Sequence, residues 1–444
     1  MDIAKQRLCL LVTTCLALSA CNAPTNPHRS NLAAVELPKI PLVSNSIFKL
    51  GTLLDLSGPE SAEGKAQARA VELAVEDLNA EFQANGSGLA IELTKCDARS
   101  DLNATYDCMM KLAEEQGIRV FIGPSGSNEV QWVVNEAKTA GVILISPAST
   151  LSSLTADDTL FRMVTTDDAQ AKITADLMAA GGSTAILAIA RDDPWARELR
   201  GSLELYLPLN ALLSPEEYDV ATTNFDVRVR SEIATRIDLE VKAKDPGRVG
   251  VYVEAFSEAQ YLLSALNDIA SNDPNSAFNA VKWYGSDGFA EERVILDEPG
   301  AAEFIMSKAL LAPRFAVPPE NQDQLAALNA RISAPDSGLL AYPNASTTVY
   351  SALAYDAATL AGKMALEVSK IDESQTGNAG AHSDIGTWMT TMQNVARITE
   401  GISGNLAFNE HGDRDRGVYG LWTIKQDPDT KAYSWYVERY VPTR

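Results

Sequence analysis

Residues Ile118 to Thr150, IRVFIGPSGSNEVQWVVNEAKTAGVILISPAST, narrow the choice of folds more than any other stretch. Two short apolar β-branched runs, Val120 to Ile122 and Val142 to Ile145, flank a segment whose Val130, Val133, Val134 and Ala137 recur at helical spacing. A strand, a crossover helix and a second strand force a parallel pair. In open parallel sheets, ligands bind beyond the carboxyl ends of the strands. The first strand ends in Gly123-Pro124-Ser125-Gly126-Ser127 and the second in Ser146-Pro147-Ala148-Ser149-Thr150, both small, hydroxylic and rich in reachable amides. Ser127 stands where an N-cap belongs, so the free N–H groups of a helix starting near Asn128 are expected to point into the same crevice and favour an anion. A small carboxylate is the expected occupant.

The rest of the chain repeats this alternation. Strands are expected at Ile47 to Leu54, Leu89 to Leu93, Thr184 to Ala190, Val249 to Val253 and Val281 to Tyr284. Helices are expected at Gly64 to Ala80, Ala104 to Glu115, Glu198 to Leu205, Ile233 to Lys244 and Glu258 to Ala270. Such alternation through 444 residues means a doubly wound α/β architecture long enough for two lobes. A formal net charge of -22 with no clustered Lys and Arg argues against nucleic acid as a partner and is read mainly as solubility.

The first residues carry Lys5 and Arg7 ahead of an apolar run, Leu8 to Leu18, too short to span a bilayer and placed like a secretory signal. Its end, Leu18-Ser19-Ala20-Cys21, resembles the bacterial lipoprotein signal, which implies a signal peptide over residues 1–20 and lipid on Cys21. Residues 21–45 read as a tether to the membrane surface. Of five cysteines, Cys9 and Cys15 leave with the signal, and Cys96 and Cys108 remain as an expected structural disulfide in an oxidising compartment.

Five blocks in order, FKLGTLLDLSGPESAEGKAQARAVELAVEDLNAE, VFIGPSGSNEVQWVVNEAKTAGVILISPASTLSSLT, FRMVTTDDAQ, WYGSDG and GNLAFNEHGDRDRGVYGLWTI, resemble the landmarks of type I periplasmic binding proteins. The most similar group is the branched-chain amino acid (Leu/Ile/Val) solute-binding family of ABC transporters. The resemblance implies two Rossmann-like lobes joined by a three-crossing hinge, with residues 46–168 and 311–417 in the first lobe and 169–310 and 418–444 in the second. It also implies that the ligand's α-carboxylate meets Ser127, Ala148 and Thr150, and that Asp287, in Tyr284-Gly285-Ser286-Asp287-Gly288, pairs with its α-ammonium. Trp195, Phe256 and Tyr350 resemble aromatic cleft positions. One residue departs from the pattern: Glu63 stands where amino-acid binders usually have an aromatic. An unpaired carboxylate is costly against an aliphatic side chain, so either Glu63 points to solvent or the ligand is polar or cationic on that side.

No catalytic apparatus is expected. The three histidines, His28, His382 and His411, neighbour no convincing nucleophile, and Gly123 to Ser127 lacks the final glycine of a nucleophile elbow. There is no metal-binding His pair, spare Cys pair or phosphate-binding glycine motif, so neither metal nor cofactor is expected. Asp413 to Gly417 reads as a surface hairpin. The expectation is a lipid-anchored, non-enzymatic receptor facing the periplasm or cell exterior, handing an amino acid or related small zwitterion to an ABC permease. A lipoprotein regulator of a cell-wall synthase, using the same fold without transport, is the alternative.

Overall fold

The computed structural model describes residues 43–44, 47–222, 224–273, 277–334, 347–376 and 384–443. The expected signal, Cys21, nearly all of the tether, His28 and His382 lie outside these residues.

The first sheet is built from β1 (Val43–Ser44), β2 (Ile47–Leu54), β3 (Ala90–Asp97), β4 (Val120–Ile122), β5 (Ile143–Ser146) and β6 (Leu160–Arg162). Its parallel order is β3-β2-β4-β5-β6, and β1, the end of the segment expected as tether, lies antiparallel against β2. Every residue of β4 and β5 is buried, because helices cover both faces of the sheet and leave no side for polar residues. Around it run α1 (Ser61–Ala84), α2 (Leu102–Gln116) and α3 (Ser127–Ala140). The α1 stripe of Ala70, Val71, Ala74, Val75 and Leu78 is buried. Asp101 caps α2 by accepting from the Ala104 N–H at 2.7 Å.

After α4 (Asp167–Ala180) comes the second sheet: β7 (Ala185–Arg191), β8 (Glu216–Tyr218), β9 (Val249–Glu254) and β10 (Lys282–Gly285), parallel in the order β10-β9-β7-β8. Its crossovers include α5 (Pro194–Tyr206), α6 (Ala234–Ala243) and α7 (Ala259–Asn272), and α8 (Pro299–Ser307) packs on α7. The chain then runs through β11 (Ala312–Ala316), α9 (Gln322–Ile332), α10 (Val349–Thr376), α11 (Ile385–Ile398), the short pair β12 (Glu400–Gly401) and β13 (Gly404–Asn405), and finally β14 (Val418–Gln426) and β15 (Tyr433–Pro442). α10 packs lengthwise on α1.

The antiparallel β11-β14-β15 sheet runs between the cores of the two parallel sheets. Along it Phe315, Tyr419 and Leu421 pack with the core around the first sheet, Ala312 and Ile424 with the core around the second. Beside this crossing, Arg162 is fully buried and donates to Asp413 Oδ1 at 2.7 Å, while Thr155 donates to Asp413 Oδ2 at 2.7 Å. The expectation of a surface hairpin over Asp413 to Gly417 therefore fails at its start. Asp413 and Arg414 are 2% and 3% exposed, held by Arg162 and by Ser403, because a buried guanidinium requires a carboxylate brought to it. Cys96 and Cys108 form a disulfide that ties the end of β3 to α2, with Cα atoms 5.9 Å apart.

Candidate functional site

Two turns open the cleft floor. β4 runs into the Gly123-Pro124-Ser125-Gly126 loop and α3, and β5 runs into Ser146-Pro147-Ala148-Ser149-Thr150. The helix differs from expectation in one detail. Gly126, in extended conformation, is the N-cap residue, and Ser127 is the first residue of the helix with no side-chain cap bond. Its hydroxyl turns across to the neighbouring loop, lying 3.1 Å from Ser149 Oγ and accepting from the Thr150 N–H at 3.3 Å. Ser146 Oγ donates to Pro124 O at 2.6 Å and stitches the two loops again. The result is a rigid ledge of hydroxyls and amides at the positive end of a helix dipole.

Opposite this ledge, β10 ends at Gly285 and Asp287 opens a short helical turn. Asp287 is 4% exposed. Gln170 donates to its Oδ1 at 3.0 Å and Tyr350 to its Oδ2 at 3.1 Å, and its backbone N–H donates to Gln170 Oε1 at 2.8 Å. Burial raises its carboxyl above the usual carboxylate range, while Arg314 and these hydrogen bonds pull the other way. Fully buried Asp167, also bonded to Gln170, is raised further by burial and by Asp287.

The cleft between these walls has a volume of about 580 Å³. Ser127, Ala148, Thr150, Asp287, Trp195, Phe256, Tyr350 and Glu63 all line it. Trp195, at 2% exposed, is as much core as wall, and its ring lies 4.5 Å from that of Phe256. Of the two courses foreseen for it, Glu63 does not take the solvent-facing one. It is held inside the protein by Arg314 at 2.8 Å, by Thr348 Oγ1 at 3.2 Å and by Gln67 Nε2 at 2.9 Å. Arg314 in turn lies over the Tyr350 ring, 4.0 Å from its centroid.

Sequence reasoning missed much of the lining. Arg191 lies 3.9 Å over the Phe256 ring and pairs with Asp193 and Glu258. Asp55, Glu60, Glu129 and Glu292 also face the cleft, as do the half-exposed Val220 and Tyr261 at its rim. Burial pushes Glu60 up to about 8, with Glu258 adding to the effect, Glu129 up to about 7, with Asp55 adding, and Asp55 itself up to about 6. A signal existed for Asp55, Glu60 and Glu129, which fall inside FKLGTLLDLSGPESAEG and VFIGPSGSNEV, and for Gln170 beside Asp287, which falls inside FRMVTTDDAQ. Bonds join the walls directly: Ser257 donates to Glu60 at 3.1 Å, Asn128 to Asp193 at 3.3 Å, and Ser153 to Glu198 at 2.7 Å. Among the described residues no cluster of His, Cys, Asp and Glu is arranged to hold a metal ion, and no helix is long and apolar enough to cross a membrane.

A family model for periplasmic binding proteins matches residues 48–414. The chain belongs to the periplasmic binding protein family. This periplasmic binding protein is similar to an uncharacterized protein of Methanocaldococcus jannaschii, 25% identical over an alignment of 401 residues, with 86% of this chain and 88% of the relative covered. Its fold is similar to that of the branched-chain amino acid transporter substrate-binding protein LivJ from Streptococcus pneumoniae, solved with isoleucine, at TM-score 0.63 and 19% identity over 89% of this chain and 98% of that one. It is also similar to an ABC-transporter solute-binding protein from Rhodopseudomonas palustris HaA2, solved with p-hydroxybenzoic acid, at TM-score 0.66 and 17% identity over 90% and 98% of the two chains. The two-lobed type I architecture is thus the one expected from the sequence blocks.

Proposed function

We propose that this chain is a lipid-anchored, exported, non-enzymatic receptor that binds an amino acid or related small zwitterion between its lobes and delivers it to an ABC permease. One observation carries the reading: hydroxyls and amides around the start of α3 and the buried acid Asp287 line one cleft from opposite walls. Hydroxyls and helix-end amides accept a carboxylate without a formal counter-charge. A buried carboxylate is the complement of an ammonium. In this scheme Ser127, Ala148 and Thr150 take the ligand's carboxylate, and Asp287, oriented by Gln170 and Tyr350, takes the ammonium. Trp195, Phe256 and Tyr350 wall the rest. The two solved relatives bind carboxylic acids, isoleucine in one and p-hydroxybenzoic acid in the other, and this supports the carboxylate half of the scheme. The lobe boundaries of 46–168 with 311–417, and 169–310 with 418–444, accompany this proposal, as do lipidation at Cys21 and removal of residues 1–20.

Thermal melting against a panel of amino acids tests it. A solute at a hundred times its dissociation constant stabilises the folded form by about 2.7 kcal/mol. The effective solute is expected to lose at least a hundredfold in affinity with Asp287→Asn, which removes one side of a desolvated charge pair. No melting shift with any amino acid would sink the transport reading and favour a protein partner.

A further inference from the structure

Seven carboxylates line the cleft against two guanidinium groups, so its charges do not balance. Both cations are already committed. Arg314 serves Glu63 at 2.8 Å and has Glu291 and Glu292 at 3.8 Å, and Arg191 serves Asp193 at 2.5 Å and Glu258 at 3.1 Å. Asp287 has its amide and phenol partners. Asp55, Glu60 and Glu129 are left with neutral donors. Asp55 accepts from the Ser100 N–H at 2.6 Å, Glu60 from Ser257 Oγ at 3.1 Å, and Glu129 from its own backbone N–H. Asp55 is 9% exposed, so solvent does little to screen it.

A second observation points the same way. Asn128 Oδ1 is buried on the cleft wall without a hydrogen-bond partner among the described residues. Its amide nitrogen donates to Asp193 Oδ2 at 3.3 Å, and the oxygen is left without an N–H donor beside the cleft. Like charges gathered around a poorly solvated cavity repel one another. A wall of such acids around a binding cavity is relieved either by protons or by a cation brought in with the solute.

Resting on the amino-acid reading above, we propose that the ligand carries a second positive charge beyond its α-ammonium, an amine or guanidinium seated against Asp55, Glu60 and Glu129 with Asn128 Oδ1 as a further acceptor. The substrate class is a dibasic amino acid. The two aromatic faces nearest the arginines, Phe256 and Tyr350, already carry protein guanidinium groups, so the carboxylates rather than the rings make the selection. Because Glu60 and Glu129 hold protons near neutrality, a cation seated beside them expels those protons on binding.

Calorimetry at pH 7 on the purified chain, with L-lysine, L-arginine, L-leucine and putrescine as probes, tests this. Lysine or arginine is expected to bind at least tenfold more tightly than leucine, with heats that depend on the buffer's ionisation enthalpy because protons are released. The double variant Glu60→Gln with Glu129→Gln is expected to erase that advantage, lysine and leucine then binding with similar affinity, its folding checked by melting temperature. Leucine binding as tightly as lysine to the unaltered chain overturns the second-charge inference and leaves the amino-acid reading intact. Putrescine binding with no response to any amino acid overturns the carboxylate half of the function, and with it the dibasic amino acid. Silence with all four probes overturns both.

Discussion

Tyr350, in the first turn of α10, donates its hydroxyl to Asp287 Oδ2 at 3.1 Å and so ties the long first-lobe helix to the strand tip of the second lobe. Hydrogen bonds to charged groups are worth about 1.5–3 kcal/mol. Tyr350→Phe keeps the ring beneath Arg314 but releases Asp287 to one remaining side-chain donor, Gln170. Amino-acid affinity is expected to fall about tenfold by calorimetry while the fold persists. An unchanged affinity would show that the phenol does not orient the acid.

Arg314 is the one guanidinium serving Glu63, Glu291 and Glu292, and its side chain is 1% exposed. Breaking one side of a buried ion pair costs about 3–5 kcal/mol. Arg314→Met should lower the unfolding free energy read from urea titration by that amount. Adding Glu63→Gln to the same chain should recover part of the loss, since the second substitution removes one stranded charge. Recovery of nothing would mean that the pair is not coupled.

Replacing a helical glycine by alanine ordinarily stabilises by about 1 kcal/mol. Gly64, in the first turn of α1, is an exception because a Cβ there would sit 2.2 Å from the Asp55 carbonyl oxygen. Overpacking costs about 1–3 kcal/mol, so steric cost wins over helix propensity. Gly64→Ala is expected to lower the melting temperature, and a rise would show that β2 and α1 can move apart.

The raised carboxyls set the direction of the pH response. Glu60 rises from 4.5 to about 8, Glu129 from 4.5 to about 7 and Asp55 from 3.8 to about 6, in each case chiefly through burial. Between pH 4.5 and 8 the folded chain therefore binds more of these protons than the unfolded chain, and stability falls as pH rises. Melting with no added solute should shift upward as pH drops from 8.5 to 5.5. The opposite slope would mean that these groups are ionised in the fold.

The parts of the site legible in the sequence were those written locally. Ser127, Ala148 and Thr150 stand at the ends of apolar strands with a helical repeat between them, so periodicity alone located both loops. The place of Asp287 just beyond the β10 strand was legible for the same reason, while its pairing with an ammonium came from the resemblance alone. Even there, Ser127's choice of the Ser149–Thr150 loop over a helix cap was not visible, since an N-cap position looks the same whichever way the hydroxyl turns. Glu63 showed its oddity but not its solution. Its partner Arg314 stands 251 residues away, and an ion pair over that separation leaves no local pattern. Arg191 was hidden likewise, as a charged residue on an element whose orientation only packing decides, and the blocks that hold Glu129 and Gln170 do not say which way those side chains turn. The buried Asp413 looked like part of a turn until Arg162 was seen to claim it.

The bonds from Ser257 to Glu60, Asn128 to Asp193, Ser153 to Glu198 and Tyr350 to Asp287 act together as latches. Parting the two walls requires several of these bonds to break together, so the walls separate cooperatively rather than one contact at a time.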